Sequence, residues 1–408
     1  MSATLTRTEL HTELGMILDA LPKPAILLNT DRRVLLANRE YKSRFGAADV
    51  EGHPPCYRLL HRQTQVCTLS GESCPLDLCW QTGAAARCLH VHSSAAGAEH
   101  VDVTVRPITD DQGRIDSFLQ ILTPVEIAQP HPAPRGLIGR SRVFNRMLEQ
   151  ITRVAEIPSP ALVTGEAGVG KELVAQAIHD ASPRAGKPFV PIDCSSLRES
   201  IFEREAFGHA SGAYPGASQS AVGLIGAAEG GTLFLDEVSE LPRILQARFL
   251  RLIETGSYRP EGSAELIESD FRVISSTEKD LQALARQGAF RHDLLLILST
   301  VEVHVPALRE RTADIALLAP SLLERLEPVC KNLSIHPRAH RILKCYDFPG
   351  NVRELQTILE HACLLADGGE ILPHHLPREC LRAYERRTTR DNTERGPASD
   401  PGRRDSPL

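Results

Sequence analysis

Lys171 is the next-to-last residue of the run GEAGVGKE, in which Gly165, Gly168 and Gly170 precede it. That spacing, G-x-x-x-x-G-K, is the pattern of a loop that binds phosphate. Glycines let backbone N–H groups close around phosphate oxygens, a helix N-terminus adds a favourable dipole, and the lysine supplies a cation. The candidate binding residues are Gly165, Glu166, Ala167, Gly168, Val169, Gly170, Lys171 and Glu172. Glu172 stands where the pattern usually has Ser or Thr, so Mg²⁺ must find its ligand elsewhere. Downstream, Asp236-Glu237 ends the apolar run Gly231–Leu235. Asp236 is the candidate for the Mg²⁺ shell, and Glu237 for polarising an attacking water. The plain alternative is an acidic strand-to-helix cap, and the lysine loop upstream argues against it.

A second group of reactive side chains lies nearer the start: Cys56, His61, Cys67, Cys74 and Cys79. The four thiols Cys56, Cys67, Cys74 and Cys79 can supply a tetrahedral zinc or iron–sulfur site, with His61 as a substitute ligand. Their spacings are irregular, and buried or merely reactive thiols are the alternative.

Elements must hold these residues in place. Ala161–Val163 reads as a short strand, and Leu173, Val174, Ala177 and Ile178 recur at helical spacing after the glycine loop. Phe189–Asp193 and Gly231–Leu235 are further strands of an expected parallel sheet, which would present Asp236 and Glu237 at its carboxyl edge. An amphipathic helix is expected over Val143–Ile157. Residues 13–46 read as helix, strand, tight turn, strand and short helix, with strands at Ala25–Leu28 and Val34–Ala37. Residues 87–125 read as three strands, Cys88–His92, Val101–Pro107 and Phe118–Pro124. Gln129–Arg135, QPHPAPR, reads as a stiff extended linker. After Cys380 the chain mixes charges with Pro, Gly and Ser, has almost nothing apolar, and is expected to be disordered.

The chain has 408 residues, enough for two or three domains. Its 42% hydrophobic and 24% charged content is that of a globular protein. A net charge of −6 gives no global basic field for nucleic acid. Arg7, Glu9, His11 and Glu13 interrupt the N-terminal segment, so neither a secretory signal nor a membrane span is expected, and the reading is cytoplasmic. In that compartment the ten cysteines are expected as thiols or metal ligands rather than disulfides.

Leu21–Gly46, LPKPAILLNTDRRVLLANREYKSRFG, resembles a PAS sensor domain, which implies a small α+β fold that senses a ligand or mediates dimerisation. Some PAS variants carry a similar Cys-Tyr…His…Cys…Cys-Pro-Leu insert. Leu137–Pro377 resembles the AAA+ domain of sigma-54-dependent transcriptional activators. The resemblance rests on GEAGVGKE, FGHASGAYPGA at Phe207–Ala217, GGTLFLDEVSELP at Gly230–Pro242, RVISSTEKDL at Arg272–Leu281, FRHDL at Phe290–Leu294, LRER at Leu308–Arg311 and FPGNVREL at Phe348–Leu355. Glu172 is normal in that family. The fold implied is an α/β AAA+ P-loop domain with a parallel sheet and helical lid, preceded by the α+β PAS-like domain. The expected divisions are 1–128 for the sensor, 129–136 for the linker, 137–305 for the nucleotide subdomain, 306–377 for the lid and 378–408 for the tail.

The resemblance further implies ATP and Mg²⁺ as cofactors and a homo- or hetero-oligomeric ring with ATP between subunits. It implies sigma-54 RNA polymerase as the partner, engaged through the Phe207–Ser218 loop. Arg353 takes the lid role called sensor II, where a surface arginine pairing with Glu354 or Glu360 is the alternative. Arg291 is the candidate arginine finger, with Arg309 and Arg311 competing; such a group can be worth ~10³–10⁵ in rate.

Five features depart from the family pattern. The loop reads GAYPGA rather than GAFTGA, and Pro215 removes a hydroxyl and an N–H and fixes φ. Ile297 replaces a second arginine, and Glu278 stands in place of the sensor I Asn. Asp193 replaces an Asn that holds the catalytic Glu; two carboxylates ~4 Å apart would repel by ~4 kcal/mol at an effective dielectric near 20. The expected C-terminal DNA-binding helix-turn-helix is missing from the sequence. Two readings follow. One is an ATP-hydrolysing transcription regulator under PAS control. The other is a catalytically weakened AAA+ module that binds ATP and modulates a partner ring, with turnover impaired by Asp193, Glu278 and Ile297.

Overall fold

The computed structural model describes residues 7–46, 50, 52–68, 73–94, 97–131, 136–195, 199–214, 219–326, 334–366 and 369–394. After a first helix α1 (Arg7–Asp19), the N-terminal sheet is built from β1 (Ala25–Asn29), β2 (Val34–Ala37), β3 (Ala86–Ser94), β4 (Gly97–Thr109) and β5 (Ile115–Pro124). Its order is β2-β1-β5-β4-β3, and every pairing is antiparallel. Three short helices, α2 (Arg39–Phe45), α3 (Cys56–His61) and α4 (Pro75–Thr82), lie between β2 and β3 in the chain. Asn38 starts α2: its side-chain oxygen accepts from the backbone N–H groups of Tyr41 and Ala25, both at 2.9 Å. One shared apolar core contains Tyr41, Leu60, Leu76, Phe118 and Leu122 together with Cys56, Cys67, Cys74 and Cys79.

Short strands β6 (Ala128–Gln129) and β7 (Leu137–Ile138) pair in parallel, Ala128 with Leu137 and Gln129 with Ile138. The described ends of the intervening segment therefore lie side by side. Residues 132–135 of that segment lie outside the described residues.

Helix α5 (Arg142–Ala155) buries Phe144, Met147, Leu148, Ile151 and Val154, the 3–4 spacing of a single apolar face. Beyond it stand β8 (Ala161–Thr164), helix α6 (Lys171–Asp180), β9 (Phe189–Asp193) and β10 (Thr232–Asp236). A small ribbon, β11 (Ser257–Tyr258) with β12 (Ile267–Glu268), precedes β13 (Arg272–Thr277) and β14 (Val301–His304). The second sheet has the order β14-β8-β13-β10-β9 and is parallel throughout. Both faces are covered, so the central strands are buried continuously, with β13 buried at all six positions. Arg272 opens β13 inside this core, where its guanidinium donates to the carbonyls of Ala155 (3.1 Å) and Val154 (2.7 Å) at the end of α5. A cation at a helix C-terminus is favourably placed against the dipole.

Contacts divide the chain into two units, Met1–Gly165 with Gly170–Pro306, and Glu166–Val169 with Ala307–Leu408. The second unit is helical, with its principal helices at Ile315–Leu326, Pro337–Lys344, Asn351–Ala366 and Arg378–Glu394. Ile342, Leu343, Phe348, Leu355, Leu359 and Cys380 are buried in it. Arg378–Glu394 corrects the expectation of a disordered tail from residue 378: Cys380 anchors the start of a helix that the charged residues continue. Residues 395–408 of that expected tail lie outside the described residues. Cys363 is disulfide-bonded, contrary to the expectation of thiols or metal ligands, whereas Cys56, Cys67, Cys74, Cys79, Cys88, Cys194, Cys345 and Cys380 carry thiols.

Candidate nucleotide site

Parallel strands deliver the carboxyl ends of β8, β10 and β13 to one edge of the sheet, and the chemical residues sit there. The glycine loop follows β8. Gly165, Gly168 and Gly170 all adopt positive φ, at 156°, 75° and 101°, a region side-chain-bearing residues rarely enter. Gly170 is the N-cap of α6 and provides no side chain to satisfy the first-turn N–H groups. An uncapped ten-residue helix preceded by a glycine turn fits a phosphate chain. Lys171 at its start is only 7% exposed, and its ammonium reaches Gly165 O at 3.2 Å and Glu237 Oε1 at 2.7 Å.

Asp236 and Glu237 follow β10. Ser276 on the adjacent strand β13 ties them together: its hydroxyl donates to Asp236 Oδ1 and accepts from the Glu237 N–H at 3.0 Å. Glu237 itself has a left-handed backbone, φ 52°. The Glu278 N–H donates to Glu237 Oε2 at 3.0 Å, so position 278 reaches the catalytic candidate through its backbone, while its side chain is exposed. Glu172 is exposed as well. Asp193 meets the site differently from the sequence expectation. Its Oδ1 accepts from the Ser195 N–H at 2.8 Å and from the Ser195 hydroxyl at 2.7 Å, while Glu237 is taken by Lys171 and residue 278. The two carboxylates thus have separate donors. The edge is electronegative all the same. Burial pushes the Cys194 thiol up, and Asp193, Asp236, Glu237 and Glu240 push it further. That field suits a divalent cation beside Asp236.

In the second unit, Glu166 anchors the lid helices to loop residues. Its carboxylate accepts both terminal nitrogens of Arg309, one at 2.8 Å, and the Asn351 amide at 3.0 Å. Asn351 also donates to Ala167 O (3.0 Å) and accepts from the Leu308 N–H (2.8 Å). Gly168 O accepts from the N–H groups of Val352 (3.0 Å) and Arg353 (3.3 Å), and a Cβ at Gly168 would stand 2.3 Å from Gly350 O. The Arg353 side chain is exposed. Arg311 is buried and donates to Val169 O at 3.2 Å. Arg309 and Arg311, the competitors for the finger, are therefore both engaged within their own unit. Arg291 lies just ahead of the helix His292–Leu298 and pairs with Asp293 at 2.7 Å on a partly exposed surface. Ile297 packs against the apolar core of the sheet domain. Tyr214 is half-buried, with the Arg204 guanidinium 3.7 Å from its ring centroid, whereas Pro215 lies outside the described residues.

The cysteine-rich stretch gathers a different ligand set from the four thiols expected. Among the described residues, His61, Cys67 and His90 are the group whose ligand atoms lie within 4.8 Å of one another. Cys79 is buried in the core and does not line the cavity that Cys56, Cys67 and Cys74 share. Spacing failed here because a strand distant in sequence, β3, supplies the second imidazole. Burial and the nearby His90 pull His61 down to about 4, and burial pulls His90 and His92 down as well. A hydrogen bond from Cys67 brings Cys74 down to about 7, while burial pushes Cys56 up to about 12.

Sequence reasoning missed Ser276, Asn351, His90 and His92 as individual residues. Ser276 and Asn351 sit inside quoted motifs. The period-2 pair His90 and His92, on one face of a strand, was a visible signal.

No described helix is long and apolar enough to cross a membrane. Residues 137–304 match the family described as Sigma-54 interaction domain, residues 309–393 the AAA+ ATPase lid domain, and residues 18–128 the PAS fold. The chain is 39% identical over 292 residues to the response regulator protein PilR of Pseudomonas aeruginosa, covering 70% of this chain and 64% of that one. It is 40% identical over 236 residues to the Nif-specific regulatory protein of Azotobacter vinelandii, covering 58% and 45%. NtrX from Brucella abortus in complex with ATP superposes with a TM-score of 0.55 at 33% identity, covering 64% of this chain and 62% of that one. The chain thus spans less than two thirds of the length of each of these relatives. With this sheet order, this loop and these matches together, residues 137–393 of the chain are an AAA+ sigma-54 interaction domain with its lid, preceded by a PAS fold.

Proposed function

We propose that this chain is an ATP-hydrolysing regulator that acts on sigma-54 RNA polymerase under control of its PAS fold. The observation that carries the reading is the Lys171–Glu237 ion pair, 2.7 Å long and set between the glycine loop and the acidic end of β10. Lys171 has one cationic end to offer. A triphosphate arriving at the loop competes for it, and its withdrawal leaves Glu237 to orient water. Asp236, held by Ser276, would hold Mg²⁺, which would supply positive charge to offset the negative charge developing on the phosphates. Arg291, partly exposed and with its guanidinium paired to its near neighbour Asp293, is the residue we assign to the γ-phosphate of an adjacent subunit. Arg353, exposed at the start of the lid helix Asn351–Ala366, is the sensor II candidate. An active site completed by a neighbour requires assembly, and the ring of the resembling AAA+ proteins is the form we assign to it.

Steady-state ATP turnover measured across protein concentration tests this. We expect turnover per chain to rise as the protein assembles and to be lost in Arg291→Ala without loss of ATP binding. Turnover independent of concentration would refute the shared site. The second reading, an ATP-binding module without productive turnover, draws on Ile297, which packs apolar side chain where the family resemblance calls for a cation. Tight binding with no turnover at any concentration would favour it.

A further inference from the structure

The PAS fold holds a cluster that nucleotide chemistry does not use. His61 ends α3, Cys67 lies in the segment after it, Cys74 is the N-cap of α4, and His90 is on β3. Ligand atoms of His61, Cys67 and His90 fall within 4.8 Å of one another, and Cys67 is hydrogen-bonded to the Cys74 sulfur. All four line one cavity of about 20 Å³. That is room for one water or one ion. It is too small for a haem or an iron–sulfur cluster.

Both imidazoles are oriented by backbone carbonyls. His61 Nδ1 faces Val91 O at 3.3 Å and His90 Nε2 faces Ser73 O at 2.6 Å. A ring nitrogen that donates to a carbonyl leaves the lone pair on the other nitrogen, the arrangement common to metal-binding histidines. The Cys74 sulfur receives the backbone N–H groups of Leu76 and Asp77, which favour a thiolate. His92 gives a second, independent sign. It is 1% exposed, lines the same cavity, and neither ring nitrogen has a hydrogen-bond partner among the described residues. A buried polar group left so is costly to the fold unless something occupies the cavity it faces.

We propose that His61, Cys67, Cys74 and His90 bind a single zinc-class divalent ion, with His92 facing it from the cavity wall. Two thiolates and two imidazoles form a closed tetrahedral set, matching the donor chemistry of zinc and of tetrahedral cobalt. The ion locks α3, the segment after it, α4 and β3 to one another, so its loss or gain changes the rigidity of the sheet edge that carries His90.

The test is anaerobic titration of the reduced, chelator-treated full chain with Zn²⁺, and separately with Co²⁺. We expect one equivalent bound per chain, and for Co²⁺ the thiolate charge-transfer and intense d–d bands of a tetrahedral site. Cys67→Ser and His90→Ala should weaken Zn²⁺ binding at least about tenfold. Cys56→Ser and Cys79→Ser should leave the stoichiometry and the bands unchanged. Saturating Zn²⁺ should also protect Cys67 and Cys74 from alkylation more than Cys345 in the lid. The proposal is overturned by a folded chain that takes up neither ion. It is equally overturned by binding that survives Cys67→Ser and His90→Ala, or by full alkylation of Cys67 and Cys74 under Zn²⁺. None of these readouts involves nucleotide, so failure here is separable from failure of the ATPase reading.

Discussion

A charged residue in a core needs donors or acceptors supplied by its neighbours, and single positions in this chain show how they are supplied. Lys171 is nearly buried, and its side-chain nitrogen reaches Gly165 O and Glu237. Ser276, wholly buried, divides one hydroxyl between the Asp236 carboxylate and the Glu237 amide. His179 shows the pH consequence of such burial. Its Nδ1 is 2.9 Å from the Thr232 hydroxyl, and desolvation lowers its pKa; Asp180 and Lys187 O act to raise it and Arg272 to lower it. The folded pKa lies below the unfolded value, so the unfolded chain binds the extra proton first. Stability from this group is present above about pH 6.5 and drains as pH falls below it. We expect urea midpoints of the nucleotide domain to fall between about pH 7 and pH 5. His179→Gln should flatten that fall; an unchanged slope would show that other groups govern it.

Elements were the most legible level. The strand, glycine loop and helix around Lys171, and the strand ending in Asp236-Glu237, lie where apolar runs and helical spacing put them. Local patterns suffice there because each strand is a buried run bounded by turn residues. Partners distant in sequence were not legible. Asn351 reads as one letter in FPGNVREL, yet it is 0% exposed, has φ 52°, and makes hydrogen bonds to Leu308, Glu166 and Ala167. Asp193 was expected to oppose Glu237, and only the fold shows Ser195 capping it. The tail failed for the opposite reason: its composition is polar, and one buried cysteine at its start was too little signal to expect a helix. Asn351 also gives a clean prediction for the loop-to-lid connection. Asn351→Ala should cost about 2–4 kcal/mol, since it leaves a buried N–H and a carbonyl without partners and keeps the left-handed backbone. Asn351→Gly relieves the backbone and should recover no more than about 1 kcal/mol of that loss. Equal stability of Gly variant and wild type in urea denaturation would show that the side-chain bonds contribute little.

At the scale of the molecule, the proposed function requires the PAS fold and the nucleotide domain to communicate. Within the first unit the backbone N–H of Leu89, next to His90 on β3, donates to Glu149 Oε1 of α5 at 2.7 Å. His100 on β4 reaches Gly139 O at 3.0 Å. These bonds join the PAS sheet to the segment that opens the nucleotide domain. Glu149→Ala should therefore raise hydrogen exchange at the Leu89 amide by at least about tenfold, corresponding to the loss of ~1.4 kcal/mol of protection. Unchanged exchange would place the coupling elsewhere. The account as a whole stands on Lys171 exchanging Glu237 for a triphosphate. Calorimetry with Mg²⁺ and ATP on wild type, Lys171→Ala and Glu237→Gln tests that most directly. The predicted result is binding by wild type, equal or tighter binding by Glu237→Gln, and none by Lys171→Ala. Weaker binding by Glu237→Gln, or undiminished binding by Lys171→Ala, would contradict it.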